Sequence, residues 1–418
     1  MCFIELADYD ENMTKMPKKS GRTRRSKKSA APGRSRPPVR FWPLGAKSLP
    51  LHRFQVRLSM NLLFHLSQLA RHTHTTKLFR RALQTFPLHL RRLSSSADAE
   101  FRQPPSHSAL CANVVDERYD LHIIVPVYNV ERYVEGCIAS ILAQQTRFSF
   151  HITVVNDGSS DKSRERLRRY EDDPRVTIID QENRGFSGAR NAALAHIVGR
   201  YVMFVDSDDR LAPGAVEMLM SKAVAEDLDI VQGGYVRFFG CAKLPAVHPV
   251  APTGFAWGKV YRASLWRRVH FPETFWYEDT VCGLLLHALT QRVGIVGPVV
   301  YEYRINLKGI SIQSMGRPKC MDTLWVTQQL LADRDALGLP DSPEFLNAML
   351  PQVRINTLRV FSLGDSRANA LNFALSRRWV VDRFAHLDAR HVAPEFADLY
   401  RALIEGDAGR LVLLSLFP

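Results

Sequence analysis

The chain has 418 residues, of which 46% are hydrophobic and 23% charged, a composition typical of a globular protein that can bury a large core. Its net charge of +14 is unevenly distributed, because residues 12–97 hold 20 Lys and Arg and no Asp or Glu. The rest of the chain holds 36 basic and 42 acidic residues and is mildly acidic. The charge therefore gives no reason to expect specific nucleic-acid binding by the folded body.

The basic N-terminal extension, residues 1–118, is predicted to be largely disordered. Residues 12–40 are rich in Lys, Arg, Ser, Pro and Gly, and so few apolar side chains cannot offset the entropy cost of ordering. Residues 54–70 instead fit a basic amphipathic helix, so that residues 12–93 would contact an anionic membrane peripherally. An unfolded basic leader, or sequence that the mature protein lacks, is an open alternative. The composition also resembles an organelle transit peptide, although the acidic start argues against one.

The cysteines and the apolar stretches point to a cytoplasmic protein, with the inner face of the membrane as a peripheral location. The six cysteines show no C-x-x-C pair and no zinc spacing, which favours reduced thiols. No stretch reaches the roughly 18 apolar residues of a spanning helix. The first residues also lack the basic-then-apolar order of a secretory signal.

From residue 119 onward, apolar strands alternate with helices. Strands are predicted at 121–126, 151–155, 176–180 and 201–205, and helices at 129–141, 161–170 and 187–197. This alternation predicts an α/β domain over residues 119–315, with a mostly parallel sheet flanked by helices. Residues 316–418 form a helical C-terminal region, with breaks at Pro340 and Pro351, that we expect to pack on the domain.

Polar segments follow the predicted strands at 126–129, 156–160, 181–185 and 206–209. In open α/β sheets, the carboxyl ends of the strands form the edge where ligands bind. Asp206 and Asp208 are two residues apart, so extended backbone points both to the same side. Two such carboxylates suit a hard divalent cation that keeps waters and takes phosphate oxygens, although Asp and Ser are also common in turns.

These segments read Ile124-Val-Pro-Val-Tyr-Asn129, Val155-Asn-Asp-Gly-Ser-Ser-Asp161, Glu182-Asn-Arg-Gly-Phe-Ser-Gly-Ala-Arg-Asn191 and Phe204-Val-Asp-Ser-Asp-Asp209. Together and in this order they resemble the family 2 glycosyltransferases with a GT-A (Rossmann-like) fold. The resemblance covers about residues 122–313. It implies a hexosyltransferase-like, inverting enzyme of polysaccharide or glycan biosynthesis. The implied partners are a nucleotide-diphosphate sugar, expected to be a UDP-sugar, and a glycan or lipid-linked acceptor.

The resemblance also implies which residues hold the base of the donor. Pro126 and Tyr128 belong to the first strand and its loop, and Tyr128 would flank the uracil ring. Asp157 would accept the N–H of the base, since an ionised carboxylate accepts hydrogen bonds and cannot donate them. Alternatively, Asp157 caps its own turn. Arg190 would lie near the base or the diphosphate, or else be an ion-paired residue of a helix.

The acidic segment carries the implied ribose and metal contacts. Asp206 and Ser207 would contact the donor, with Asp206 facing the ribose. Asp208, together with Asp206, would hold Mn²⁺ or Mg²⁺. Asp209 is the weakest of the three candidate acids, because it could instead cap the helix that opens near Pro213.

Residues 271–279 resemble the family's second signature, an acidic pair that opens a helix. Asp279 would be the catalytic base, with Glu278 in reserve, although acids at a helix start are also favoured by the dipole alone. Trp257 and Trp276 would stack on a sugar or pack in the core. Either Arg304 or Lys308 would reach the diphosphate.

Two other functions remain as alternatives. A sugar-nucleotide nucleotidyltransferase would open with a Gly-rich phosphate loop after the first strand, where this chain has Pro126-Val-Tyr-Asn129. A non-catalytic adaptor would instead use residues 12–93 to bind a polyanion or a membrane.

Overall fold

The structure is a computed structural model that describes residues 108–306, 309, 314 and 316–416. The predictions for residues 1–107, including the helix at 54–70, lie outside these residues. The strands are β1 Val114–Val127, β2 Phe150–Asp157, β3 Val176–Gln181, β4 His196–Phe204, β5 Arg210–Leu211, β6 Ile230–Phe239, β7 Ala242–Lys243, β8 Lys259–Arg262 and β9 Val293–Arg304. The helices are α1 Val134–Leu142, α2 Ser163–Leu167, α3 Gly185–Leu194, α4 Ala215–Ala225, α5 Thr280–Leu284, α6 Asp322–Ala336, α7 Pro343–Phe361, α8 Ser366–Phe384, α9 Ala397–Glu405 and α10 Ala408–Leu416.

The strands form one sheet in the order β3-β2-β1-β4-β8-β6-β9-β5, with β7 paired to β6. Strands β3, β2, β1 and β4 are parallel neighbours, as are β6 and β9, whereas β8 runs antiparallel between β4 and β6. The four predicted strands are therefore adjacent, and their carboxyl ends meet at one edge. This confirms the predicted α/β fold with a mostly parallel sheet flanked by helices.

Strand β1 lies at the centre of the parallel half and is buried on both faces. Its residues from Leu121 to Val127 are all buried. Ile124 packs in one hydrophobic cluster, with Phe204 and Trp266, while Ile123 packs in a second cluster on the other face. Helices cover both faces of a parallel sheet, which is why this stretch reads as a continuous apolar run.

Strands β1 and β4 are longer than predicted. β1 starts at Val114, which pairs with His196, and β4 starts where the sequence predicted the end of a helix. Residues 114–120 are exposed or half-buried, and four of the seven are charged, so they carry no continuous apolar pattern. The close approach of the two strands requires Gly199, because a Cβ there would lie 2.4 Å from the backbone nitrogen of His122.

The helical C-terminal region packs on the same cluster that covers one face of the sheet. Leu324, Met349 and Val380 share this cluster with Phe204. The predicted break at Pro351 is wrong, since Pro351 lies inside α7. Buried Met349, Leu350 and Val353 flank it, and their packing outweighs the hydrogen bond that a proline cannot donate. Among the described residues, no helix is both long and apolar enough to cross a membrane.

Candidate active site

The loops after β1 and β2 are joined by the side chain of Asn129. Its Oδ1 accepts a hydrogen bond from the backbone nitrogen of Ser160 at 2.8 Å, and its own backbone nitrogen donates to Ser159 Oγ at 3.1 Å. Asn129 has a φ of +52°, so the predicted helix does not begin there but at Val134. Pro126 is buried in β1, and Tyr128 is half exposed at its end. The Tyr128 ring is thus open to a ligand at this edge.

Asp157 is buried at the end of β2 and keeps one oxygen without a protein partner. Its Oδ1 accepts from Gln181 Nε2 at 2.7 Å and from the backbone nitrogen of Arg184 at 2.8 Å. Its Oδ2 is buried and has no hydrogen-bond partner in the described part of the chain. The carboxylate therefore ties β2 to the loop after β3 and still offers one acceptor to a ligand.

Asp206 lies directly beyond β4 and is positioned from β9. Its backbone nitrogen donates to the Tyr301 hydroxyl at 3.0 Å. Ser207 is buried beside it. The next acid, Asp208, accepts a hydrogen bond through Oδ2 from Asn306 Nδ2 at 3.0 Å. Tyr301 of β9 and Asn306 just after it thus position the acidic segment.

Asp209 has a structural role that differs from the predicted alternative. Its Oδ1 accepts from the backbone nitrogen of Arg304 at 2.6 Å, and the side chain is buried. Helix α4 is preceded by Gly214 and has no side-chain cap, so Asp209 does not cap it. Burial raises the pKa of Asp209 well above its usual range, and the charges of Asp208 and Asp206 raise it further.

Arg190 connects the two acidic segments. It projects from α3, with Nη2 2.7 Å from Asp206 Oδ1 and Nη1 in contact with Glu278 Oε1. The side chain is 6% exposed. Burial alone would lower the pKa of Arg190, but the charges of Asp206 and Glu278 outweigh it and raise that pKa. In the structure, Arg190 is therefore an ion-paired residue of a helix, which was one of the two predicted roles.

The acidic pair precedes α5, as predicted, and its loop is tied to α3. Asn191 Nδ2 donates to the Phe271 carbonyl at 2.8 Å, and its Oδ1 accepts from the Phe271 nitrogen at 2.9 Å. Asp279 stands at the N-cap of α5 but makes no capping hydrogen bond with its side chain. Its position is therefore not explained by helix capping.

The two acids differ in their surroundings. Burial raises the pKa of Glu278 to about 7, opposed by Arg190 and assisted by Asp279. Burial also raises the pKa of Asp279, and the positive charges of Arg359 and Arg190 oppose this rise. Glu278 forms an ion pair with Arg190, whereas Asp279 forms none within the described part of the chain. Asp279 is thus better placed than Glu278 to accept a proton from a ligand.

Trp257 has no face free for a sugar. It is 8% exposed and stacks on Phe255 and on Tyr301, each at a centroid distance of 4.7 Å. The core-packing alternative is therefore correct for this residue. Arg304 lies over the Tyr133 ring at 4.5 Å and donates from Nε to the Asp208 carbonyl at 2.6 Å. Lys308 lies outside the described residues.

Asp206 and Asp208 are the carboxylates that best suit a divalent cation. Burial raises the pKa of Asp208; the hydrogen bond from Asn306 lowers it, and the charge of Asp206 raises it again. A cation would relieve this crowding of negative charge. Within the described ranges, no group of three or more His, Cys, Asp or Glu residues is arranged to enclose a metal ion. The donor set thus suits Mn²⁺ or Mg²⁺, which keeps waters and takes phosphate oxygens.

Three contributors to this site carry no clear signal in the sequence. Tyr301 and Asn306 come from the segment after β8, where the pattern fixes no partner. Arg359 comes from α7, one of many basic residues in the C-terminal region, and its approach to Asp279 depends on helix packing.

The chain matches a family model described as glycosyl transferase family 2 over residues 122–277. It is similar to glycosyltransferase GlyA of Streptococcus pneumoniae, with 33% identity over 225 residues that cover 47% of this chain and 32% of GlyA. It is also similar to the putative glycosyltransferase EpsH of Bacillus subtilis, with 31% identity over 213 residues that cover 45% of this chain and 61% of EpsH. The chain thus spans less than two thirds of the length of either relative.

The fold is similar to that of S. aureus TarS 1-349 in complex with UDP-GlcNAc, with a TM-score of 0.53 and 18% identity over 71% of this chain and 90% of that one. At this identity the likeness concerns the fold alone. The α/β domain therefore has the GT-A fold. The match to the glycosyl transferase family 2 model, over residues 122–277, lies within this domain.

Proposed function

We propose that the protein is an inverting glycosyltransferase that transfers a hexosyl group from a UDP-sugar to a hydroxyl of a glycan or lipid-linked acceptor. The observation that carries this proposal is the bridge from Asp206 through Arg190 to Glu278, which brings the strand-end acids close to Asp279. In this proposal, the donor site and the base lie on one edge of the sheet. The family match and the UDP-GlcNAc in TarS support the same function.

The donor base binds between the loops after β1 and β2 in this proposal. Asp157 Oδ2, which is buried and has no hydrogen-bond partner among the described residues, accepts the imide N–H of uracil. The exposed ring of Tyr128 stacks on the base, with Pro126 beneath it. Asp206 and Ser207 face the ribose. Arg190 is a positioning residue, since both of its acidic partners occupy its guanidinium.

Asp208 and Asp206 would hold Mn²⁺ or Mg²⁺. A cation held there would supply Lewis-acid stabilisation of the negative charge on the departing diphosphate. The Arg190 contact uses Asp206 Oδ1, which leaves Oδ2 available. The Asn306 contact likewise uses Asp208 Oδ2 and leaves Oδ1 available.

Asp279 is the base. It takes the proton of the acceptor hydroxyl while that oxygen forms a bond to the anomeric carbon. The bond from that carbon to the diphosphate oxygen breaks, and UDP leaves with the electron pair. A single displacement from the opposite face inverts the configuration, and no covalent intermediate with the enzyme forms.

A screen of nucleotide sugars with Mn²⁺ tests this function. We expect UDP release from at least one UDP-sugar, dependence on divalent metal, and loss of release when Asp206 and Asp208 are both replaced by Ala. With an acceptor found, proton NMR of the first product should show the inverted anomer. Net retention, or metal-dependent UDP release by the double variant at the wild-type rate, would contradict the proposal.

A cytoplasmic protein that contacts an anionic membrane through residues 12–93 belongs to the same proposal. The five described cysteines are all unpaired, as expected in a reducing compartment. Deletion of residues 1–107 should leave transfer to a water-soluble acceptor intact. It should also abolish sedimentation with vesicles that contain anionic lipid. Equal sedimentation of both forms would contradict the membrane role.

A further inference from the structure

The loop that carries the proposed base is held in an unfavourable backbone conformation. Thr274 and Tyr277 have φ values of +75° and +66°, in the left-handed region that non-glycine residues avoid. Such a conformation is strained and persists only where its surroundings hold it. Glu278 and Asp279 follow directly. Contacts from outside the loop are therefore needed to fix the position of the acidic pair.

Residues of α3 make some of those contacts, with Glu273 and Glu278, and residues of the C-terminal region make the others. Lys319 Nζ donates to the Thr274 carbonyl at 2.8 Å. Asp322 Oδ2, at the start of α6, accepts from the backbone nitrogen of Trp276 at 2.7 Å. The Arg359 guanidinium, from α7, lies 3.6 Å from the centre of the Tyr277 ring. The C-terminal region thus contacts both strained residues, Thr274 and Tyr277, and also Trp276 between them.

Arg359 is itself fixed by a buried polar network between α6 and α7. Its Nη1 donates to Thr323 Oγ1 at 3.0 Å, and that hydroxyl donates to Asn356 Oδ1 at 2.6 Å. Thr323 and Asn356 are both fully buried. Asn356 Nδ2 also donates to Thr327 Oγ1 at 3.1 Å. The orientation of the guanidinium is therefore set by the packing of the two helices.

We propose that Arg359 is a positioning residue for Asp279, through which the C-terminal helical region fixes the loop of the proposed catalytic base. This inference rests on the proposed function for its catalytic meaning. Its structural part, the grip on residues 272–279, stands on the contacts alone. The helical region then positions the loop of Asp279, in addition to packing on one face of the sheet.

The charge of Arg359 also acts on Asp279. Burial raises the pKa of Asp279, and Arg359 is the strongest of the opposing influences. The other charged groups that act on Asp279 or are coupled to it come from α3, the segment after β4, β8 and the loop itself: Arg190, Asp206, Lys259 and Glu278. Without Arg359, less positive charge opposes the rise that burial causes in the pKa of Asp279. The proton affinity of Asp279 should then increase.

Hydrogen exchange of the full-length protein tests the grip without any turnover. In Arg359→Met, the backbone amides of residues 273–279 should exchange several-fold faster than in the wild type, while Arg359→Lys gives a smaller increase. Arg401→Met is the matched control, because Arg401 is an exposed arginine of α9 that pairs with Asp398. Wild-type exchange of residues 273–279 in Arg359→Met would overturn the inference. General acceleration across the sheet would also overturn it, because the effect would then be one on overall stability.

The pH profile of transfer tests the catalytic part. In Arg359→Met, the acid limb of kcat/KM should move up by roughly one unit, in line with the loss of a nearby opposite charge. UDP affinity should stay at the wild-type value. An unmoved limb in an active enzyme overturns the positioning role while the proposed function stands. If Asp279→Asn retains full transfer, Asp279 is not the base. Faster hydrogen exchange of the loop in Arg359→Met would still show that Arg359 holds the loop in place.

Discussion

Arg190 Nη2 lies 2.7 Å from Asp206 Oδ1, so that the guanidinium of one sequence motif neutralises a carboxylate of another. The same guanidinium contacts Glu278, from a third motif. Three segments that are far apart in the chain therefore meet at one buried charge. Arg190 and Glu278 are buried, whereas the Asp206 side chain is 26% exposed, and the one guanidinium balances the charge of both acids.

Replacement of Arg190 by Met should destabilise the protein strongly. It leaves Asp206 and Glu278 without their partner, and breaking a buried pair costs about 3–5 kcal/mol. Urea unfolding at pH 7 measures the loss in the free energy of unfolding. Arg147→Met is the control, since Arg147 is 70% exposed and its ion pair contributes at most about 1 kcal/mol. The double variant with Glu278→Gln should recover part of the loss. Equal stability of Arg190→Met and wild type would contradict the buried bridge.

Replacement of Asp208 by Asn should weaken metal-assisted binding of UDP. The amide lacks the charge that attracts a divalent cation, and we expect at least about a tenfold loss of affinity, or about 1.4 kcal/mol. Calorimetry of UDP with and without Mn²⁺ measures this. Asp172→Asn, on the exposed surface, is the control. An unchanged manganese effect in Asp208→Asn would rule out Asp208 as a ligand.

Replacement of Asp157 by Asn should change which base is preferred. Asn keeps the Oδ1 acceptor for Gln181 and Arg184, but it places an N–H₂ donor where the free Oδ2 now lies. Uracil then loses an acceptor for its N–H, whereas cytosine presents a ring nitrogen that accepts. UDP affinity should fall by about 1.5–3 kcal/mol, the range for a hydrogen bond to a charged group, while CDP affinity holds or rises. Titration with both nucleotides checks this, and parallel changes would contradict it.

Replacement of Asp279 by Asn should lower kcat without loss of donor binding. The amide cannot accept a proton, and removal of a general base costs about 10²–10⁴-fold. Steady-state transfer and UDP calorimetry separate the two effects. Asp116→Asn serves as the control, because Asp116 forms only an exposed pair with Arg118. Near-normal kcat in Asp279→Asn would assign the proton transfer to another group.

The acid limb of the transfer rate should lie above the range of an ordinary aspartate. Asp279 acts only when deprotonated, and burial raises its pKa. As the pH falls, protonation therefore removes activity earlier than an exposed aspartate with a pKa of about 3.9 would allow. Measurement of kcat/KM from pH 4 to 9 locates the limb. A rate that stays constant down to pH 4 would show that the reactive group is not a buried carboxylate.

Sequence patterns predicted the four strands of the parallel half of the sheet but not the full length of each strand. The apolar run around Ile123 predicts β1 because both faces are buried, and the strand was found there. Its first part, residues 114–120, pairs with β4 but is exposed or half-buried and largely charged, so no periodicity marks it. At Pro351 the error is the reverse, because the sequence predicted a break where the helix continues. A proline predicts a break by local rules, and packing on both sides of it keeps α7 continuous.

The sequence by itself determined the class of fold and the edge where polar segments meet, because strand order and the position of each motif follow from local patterns and βαβ geometry. Only the tertiary structure decided which charges meet. Arg190 could have faced a diphosphate or solvent, and it lies instead between Asp206 and Glu278. Arg359 reaches the loop of Asp279 through helix packing. Contacts between side chains that are distant in sequence depend on how whole elements pack, and no local pattern records that.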